Sequence, residues 1–102
     1  MSGTVFEKKG ALLTVRPEGR LDTAASLDLN EELAAQLDGV TEIIMDFEKV
    51  EYIASSGLRV LLTAEQKMEE CGGKMKLIHV NEYIIAIFDL VGFMDVITVE
   101  RG

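Results

Sequence analysis

The sequence predicts one α/β domain: a mostly parallel mixed β-sheet with an antiparallel N-terminal edge strand, packed against about three to four helices. Three observations support this fold class. The 102 residues fit a single domain that buries its own core. The composition, 48% hydrophobic and 27% charged, is that of a globular protein. After an initial hairpin, helical and strand patterns alternate along the chain, which is typical of a largely parallel sheet.

The N-terminal hairpin is predicted from two β-prone runs. Residues 4–7 and 11–15 favour strands, and the Lys-Lys-Gly segment at 8–10 separates them. Pro17 and Gly19 then interrupt the pattern. Because Pro17 has no amide donor, we expect it at the end or the edge of a strand.

The first helix is predicted over residues 23–37, where leucines recur every four residues at positions 29, 33 and 37. Asp22, Thr23 and Ser26 are all capable of capping its N-terminus. The sequence therefore defines the start of this helix only to within about one turn.

The second half of the chain repeats the alternation. The apolar run at 42–47 predicts a central strand buried on both faces, and the charged residues 48–51 predict a turn. The later elements are a helix over 56–71, a strand over 74–80, a helix begun by Asn81 and a strand over 95–100. The expected buried stripe of the third helix consists of Ile84, Ile87, Phe88 and Val91.

The excess of acidic side chains limits the classes of partner. Eighteen Asp and Glu residues against ten Lys and Arg residues give a formal net charge of −8. Nucleic acids and anionic membranes are bound through clustered Lys and Arg, so we expect neither as a partner. No basic and apolar leader is visible, and no apolar run approaches the ~20 residues of a membrane span. We expect a cytoplasmic protein.

Residues that could carry catalytic chemistry are few. His79 is the only histidine, and the sequence contains no glycine-rich phosphate loop and no Gly-x-Ser-x-Gly elbow. Asp46 could act as a phosphoacceptor, but the paired carboxylates of a receiver domain are missing. A hydrolase that uses Ser55 with His79 is a minor alternative. We expect no catalytic residues, no bound metal and no cofactor, and we expect Cys71, the only cysteine, to pack as a small apolar side chain.

The segment Ser55-Ser56-Gly57 is the most informative feature. It lies between a predicted strand and an apolar helix, so a phosphate on either hydroxyl would meet the positive end of the helix dipole. The simpler alternative is that one of the two serines caps the helix and that Gly57 permits close packing. The segment by itself leaves both interpretations open.

The wider context resembles the STAS family, which includes the anti-sigma-factor antagonists of bacteria. The family pattern is Asp-Leu-Ser-x-Val-x-x-Ile-Asp-Ser-Ser-Gly-Leu followed by an aliphatic helix, and residues 46–62 are similar to it. Residues 19–24, 73–77 and 89–93 are similar to further family patterns, so the resemblance covers nearly the whole chain. It implies that residues 1–102 form one STAS domain.

The resemblance implies a partner switch. Such an antagonist binds an anti-sigma serine kinase, and the kinase then releases its sigma factor. When the kinase phosphorylates the antagonist, the two proteins dissociate. A PP2C-type phosphatase removes the phosphate and restores the binding form of the antagonist. The phosphoacceptor carried over from the motif is Ser55. We expect a monomer or a weak dimer. The partner-binding residues implied are Asp22, Thr23, Ala54, Ser55, Ser56, Gly57 and Arg59.

Two positions depart from the family pattern. Ala54 replaces the aspartate that precedes the acceptor serine, and Glu48 replaces an earlier serine. The loss of the aspartate leaves open a second function, that of a STAS accessory or sensor subunit that is not phosphorylated and belongs to a transport or stress-signalling complex.

Overall fold

The computed structural model describes residues 3–101 and contains seven strands and three helices over that range. In chain order these are β1 (Val5–Lys9), β2 (Leu12–Arg16), β3 (Glu18–Leu21), α1 (Thr23–Ala34), β4 (Glu42–Asp46), β5 (Lys49–Ile53), α2 (Ser55–Glu70), β6 (Lys74–Val80), α3 (Glu82–Leu90) and β7 (Thr98–Arg101). One turn of 3-10 helix, Phe93–Asp95, precedes β7.

The main sheet has five strands in the order β1-β2-β4-β6-β7. Only the β1–β2 pair is antiparallel, and the other three pairs are parallel. The predicted fold class, a mostly parallel mixed sheet with an antiparallel N-terminal edge strand, is therefore confirmed. The register aligns Val15, Met45 and Leu77 in one row across three neighbouring strands. All three side chains are buried, so the core lies on that face of the sheet, between the strands and the helices.

A second sheet was not predicted. β3 and β5 pair in parallel, from Glu18 opposite Lys49 to Leu21 opposite Ile53. The prediction of a turn over residues 48–51 was wrong, because Val50 and Ile53 are buried and the charged side chains beside Val50 are exposed. This two-stranded sheet positions the site, since α1 begins just after β3 and α2 begins just after β5. The amide of Ala54 donates a hydrogen bond to the carbonyl of Leu21 at 2.9 Å and holds the two helix starts together.

The helices differ from the predictions mainly at their ends. α1 ends at Ala34, three residues before Leu37, and α2 begins one residue earlier than predicted, at Ser55. Asn81 caps α3 as expected, because its side-chain oxygen accepts from the amide of Ile84 at 2.8 Å. The buried stripe of α3 is Ile84, Ile85 and Phe88, whereas Val91 follows the helix and is exposed.

Two further predictions, the start of the last strand and the packing of Cys71, were wrong. The last strand begins at Thr98, because residues 93–95 form the 3-10 turn instead. Cys71 is exposed after the end of α2 and is not a packed core residue. None of the helices within residues 3–101 is both long and apolar enough to cross a membrane.

Candidate functional site

The start of α1 is capped by Asp22. Its carboxylate oxygen Oδ1 accepts a hydrogen bond from the amide of Ala25 at 3.0 Å, which satisfies one of the free donors of the first turn. Thr23 and Ser26, the other two candidates, lie inside the helix. Asp22 is exposed, so its negative charge lies at the surface beside the start of α2.

The start of α2 is not capped by either serine. Ala54 is the N-cap residue, and its carbonyl accepts from the amides of Gly57 and Leu58 at 2.9 and 3.1 Å. Ser55 and Ser56 are already the first two residues of the helix. The capping interpretation of the serines was therefore wrong, and the methyl group of Ala54 leaves α2 without a side-chain cap.

The two serines differ in accessibility. Ser55 is exposed. The hydroxyl oxygen of Ser56 is buried, and no group among residues 3–101 forms a hydrogen bond with it. Of the two serines, Ser55 is therefore the one accessible to a macromolecule.

Gly57 has a packing role. A Cβ atom at this position would lie 2.6 Å from Cγ1 of Ile53 and 3.2 Å from Oγ of Ser26. Ser26, itself buried, donates a hydrogen bond to the carbonyl of Leu21 at 3.3 Å. Gly57 therefore lets α2 approach both β5 and α1 closely. Gly57 is buried, and its role as a partner contact stays a prediction.

A groove of about 300 Å³ runs between α1 and α2 beside the serines. Its lining comprises Thr23, Ser26, Leu27, Asn30, Ser56, Arg59, Val60 and Thr63. The structure thus brings together three of the residues implied by the sequence, Thr23, Ser56 and Arg59, along one groove. Ala54 and Ser55 lie at the helix start just before Ser56.

The groove also contains residues that the sequence reasoning missed. Leu27 is 60% exposed, although it belongs to a helix whose buried leucines are Leu29 and Leu33. A leucine outside the periodic stripe of its helix is the signal that could have identified this surface. Asn30 lies on the same groove, one turn further along α1.

A second group of polar side chains lies at the carboxyl end of β4. Nδ1 of His79 is 2.9 Å from Oδ1 of Asp46, and Oδ1 also accepts from the amide of Glu48 at 3.1 Å. Nε of Arg16 lies 3.6 Å from Oδ2 of Asp46. His79 is therefore paired with Asp46 rather than with Ser55, which argues against the hydrolase alternative.

The Asp46–His79 contact shifts the pKa of both residues. Burial by itself raises the pKa of Asp46, but the hydrogen bonds from His79 and Glu48 and the charges of His79 and Arg16 together hold it below its ordinary value. The hydrogen bond to Asp46 raises the pKa of His79 above its ordinary value, against a smaller opposing effect of burial. The pair is thus stabilised in its charged form.

The chain resembles known proteins over nearly its whole length. BtrV of Bordetella bronchiseptica, to which the role of an anti-sigma factor antagonist is attributed, is 29% identical over 98 residues, covering 95% of this chain and 84% of BtrV. The anti-sigma-B factor antagonist of Bacillus subtilis is 26% identical over 88 residues, covering 86% of this chain and 81% of that protein.

Solved structures have the same fold. The anti-sigma factor antagonist SpoIIAA in its unphosphorylated form has a TM-score of 0.79 at 19% identity, covering 98% of this chain and 88% of SpoIIAA. Bacillus SpoIIAA in its phosphorylated form has a TM-score of 0.77 at 21% identity, covering 95% and 90%. A family model, that of the STAS domain, matches residues 4–101. Because this match spans almost the entire chain, the protein belongs to the STAS-domain family.

Proposed function

We propose that this protein is an anti-sigma factor antagonist whose binding to an anti-sigma serine kinase is controlled by phosphorylation of Ser55. The unphosphorylated form binds the kinase, and the kinase then releases its sigma factor for transcription. Phosphorylation of Ser55 by the kinase ends the complex, and a PP2C-type phosphatase restores the binding form. The protein acts by binding in the cytoplasm and is not an enzyme.

The difference between the two adjacent hydroxyls is the observation that carries this proposal. A kinase must bring the acceptor oxygen to the γ-phosphate of ATP in line for transfer. Ser55 is exposed, whereas the hydroxyl oxygen of Ser56 is buried. Accessibility therefore supports Ser55 as the acceptor and disfavours Ser56.

The position of Ser55 also supports a switch that leaves the fold intact. A phosphate would add about −1.5 to −2 charges and three acceptor oxygens. Ser55 is the first residue of a 16-residue helix. The positive end of that helix would stabilise the added negative charge by about 0.3–1 kcal/mol. The SpoIIAA fold exists in both an unphosphorylated and a phosphorylated form, in agreement with this expectation.

The groove between α1 and α2 is the surface that we assign to the kinase. Its lining combines the exposed Leu27 with Val60, and Arg59 adds a positive charge. Ser55 immediately precedes Ser56, one of the lining residues, so a phosphate would stand beside the docked partner. There it would be desolvated and would repel facing carboxylates, at a cost that can reach several kcal/mol. Each 1.4 kcal/mol changes affinity about tenfold.

One observation favours a second candidate function. Where the family pattern has an aspartate, Ala54 caps α2 with no side-chain hydrogen bond. A STAS subunit that docks without being phosphorylated would not need that carboxylate. The alternative is therefore an accessory or sensor subunit of a transport or stress-signalling complex.

The direct test is phosphorylation of the full chain by the anti-sigma serine kinase of its own organism. After incubation with ATP, the modified residue is mapped by mass spectrometry. We expect modification at Ser55, its loss in Ser55→Ala, and its retention in the matched control Ser56→Ala. Modification confined to Ser56 would overturn the acceptor assignment. A chain that is never modified, and that copurifies with a transporter or a large assembly, would establish the alternative.

A phosphate mimic separates the switch from a structural role. Ser55→Asp should weaken kinase binding by at least about tenfold, because the added charge stands at the docked surface. Its melting temperature should stay within a few degrees of the wild type, since the helix dipole tolerates the charge. Isothermal titration and thermal unfolding measure the two quantities. An unfolded Ser55→Asp variant would mean that Ser55 is structural.

A further inference from the structure

We propose that Asp46, Glu48 and His79 form a binding site for one divalent transition-metal ion of the zinc class. The inference is independent of the phosphorylation proposal, because none of these residues lies on the groove or at the start of α2. It also goes against the expectation from the sequence that the chain holds no metal.

The topology brings the three side chains together from distant parts of the chain. Asp46 is the last residue of β4, Glu48 follows in the turn to β5, and His79 is the penultimate residue of β6. The parallel pairing places Asp46 opposite Ile78, and the amide of Phe47 continues that pairing with a 2.9 Å hydrogen bond to the carbonyl of Ile78. The ends of the two strands thus coincide at one edge of the main sheet.

The separations suit a small cation. One possible ligand atom from each of Asp46, Glu48 and His79 lies within 4.8 Å of the others. In a tetrahedral zinc site, bonds of about 2.0–2.2 Å place neighbouring ligand atoms roughly 3.3–3.5 Å apart. Nδ1 of His79 and Oδ1 of Asp46 are 2.9 Å apart, so a shift of about half an ångström would admit the ion between them. Glu48 is exposed, and its side chain is free to close on the third position.

The backbone of His79 holds the imidazole in this place. Its φ is 57°, and it is the only residue other than glycine with a positive φ among residues 3–101. This conformation is uncommon for a residue with a side chain. It coincides with a register shift of the β6–β7 pair between Leu77 and Val80. The distortion leaves the ring directed at Asp46, so the donor set is already oriented.

The local charge favours a cation despite the nearby guanidinium. Arg16 is shared between Asp46 and Glu7, with Nη1 at 3.0 Å from Oε1 of Glu7. Lys9 also pairs with Glu7, with Nζ 3.8 Å from Oε2, so the three carboxylates of Glu7, Asp46 and Glu48 exceed the two cations Arg16 and Lys9 by one negative charge. A cavity of about 60 Å³ beside Asp46 and Glu48, lined also by Arg16 and Lys49, has room for about two water molecules.

The donor set selects the class of ion. One imidazole nitrogen with two carboxylates suits zinc, cobalt or nickel, whereas calcium and magnesium prefer sites made of oxygen alone. Three protein ligands leave the fourth tetrahedral position for water. We therefore infer that Zn²⁺ is the physiological ion, and Co²⁺ is its spectroscopic substitute.

The experiment is a titration of the full chain with ZnCl₂ by calorimetry, in a buffer without phosphate or chelator. The exposed thiol of Cys71 is a competing ligand, so the titration is repeated with Cys71→Ser. We expect one ion per chain in both proteins. His79→Gln and Glu48→Gln should each weaken binding by at least about tenfold. Glu51→Gln, an exposed carboxylate of β5 outside the cluster, should bind like the wild type.

Two spectroscopic signals make the outcome unambiguous. Because His79 is the only histidine, its imidazole proton resonances are unique, and they should shift or broaden on addition of Zn²⁺. The Co²⁺ form should show the visible absorption of a tetrahedral site, and His79→Gln should abolish it. Absence of binding up to about 1 mM Zn²⁺, a very weak affinity, would overturn the proposal. The proposal would also be overturned if Glu51→Gln, Glu48→Gln and His79→Gln bound Zn²⁺ with equal affinity.

Discussion

Gly57 and Ile53 are in contact with no space between them for a methyl group: a Cβ on Gly57 would lie 2.6 Å from Cγ1 of Ile53. Gly57 belongs to the first turn of α2, and Ile53 is the last residue of β5. The contact joins the first turn of α2, which begins at Ser55, to the two-stranded sheet. It gives the glycine of the serine segment a steric role.

Gly57→Ala should destabilise the domain by up to about 2 kcal/mol. Alanine is the better helix former by about 1 kcal/mol, but overpacking a buried contact costs about 1–3 kcal/mol. Cγ1 of Ile53 is attached to the branched Cβ, so it cannot swing away as the end of a flexible chain could. Urea unfolding followed by circular dichroism measures the change. A variant as stable as the wild type would show that the helix start moves at little cost.

The same contact predicts a coupling. Ile53→Ala alone should cost about 2–5 kcal/mol as a cavity-forming substitution. In the Gly57→Ala background it should cost less, because it also removes the atom that the new methyl group meets. A double-mutant cycle measures the difference. Strict additivity would assign the effect of Gly57→Ala to something other than Ile53.

Ala54→Asp should stabilise the unphosphorylated domain by roughly 1 kcal/mol. The backbone of Ala54 has φ −89° and ψ 171°, the extended conformation of an N-cap residue, so a carboxylate there can accept from the first-turn amides. Chemical denaturation measures the gain. Ala86→Asp, which places the same side chain at an exposed position inside α3, should be neutral or destabilising. Equal effects of the two substitutions would exclude capping as the cause.

Leu27→Asp should weaken kinase binding by about tenfold or more while leaving the melting temperature nearly unchanged, since the side chain is 60% exposed. The matched control is Leu90→Asp. Leu90 is 86% exposed but lies at the end of α3, away from the groove. Isothermal titration with the kinase compares the two variants. If only Leu90→Asp lost kinase binding, the docking surface would lie at the end of α3 and not along the groove.

Glu65→Gln should stabilise the domain at about pH 7 by a few tenths of a kcal/mol. Burial and the charge of Glu69 raise the pKa of Glu65, so the folded state binds the proton more tightly than the unfolded state. The ionised Glu65 side chain therefore destabilises the folded domain. This destabilisation is absent below the ordinary pKa of glutamate, about 4.3, and it develops as the pH rises through the folded-state pKa. Urea unfolding at about pH 3.5 and about pH 7 should show the gain only at the higher pH. A gain at both pH values would point to a cause other than titration.

Much of this protein is specified by local patterns. The leucines of α1 and the Asn81 cap of α3 follow rules that operate within one or two helical turns, and they identify the helices without a structure. The same is true of the apolar runs that form β4 and β6. The segment of residues 46–62 carried the family resemblance, because its residue types are arranged contiguously around one strand-to-helix turn.

What the sequence by itself determined is therefore the fold class, the family and the position of Ser55 at the start of a helix. The tertiary structure decided which of two adjacent hydroxyls is accessible, because the residue type is serine at both positions and only the packing around the start of α2 distinguishes them. It also decided the β3–β5 pairing and the contact between Asp46 and His79, which are 33 residues apart. These features arise from contacts between segments far apart in the chain, and such contacts leave no periodic pattern in the residues that make them.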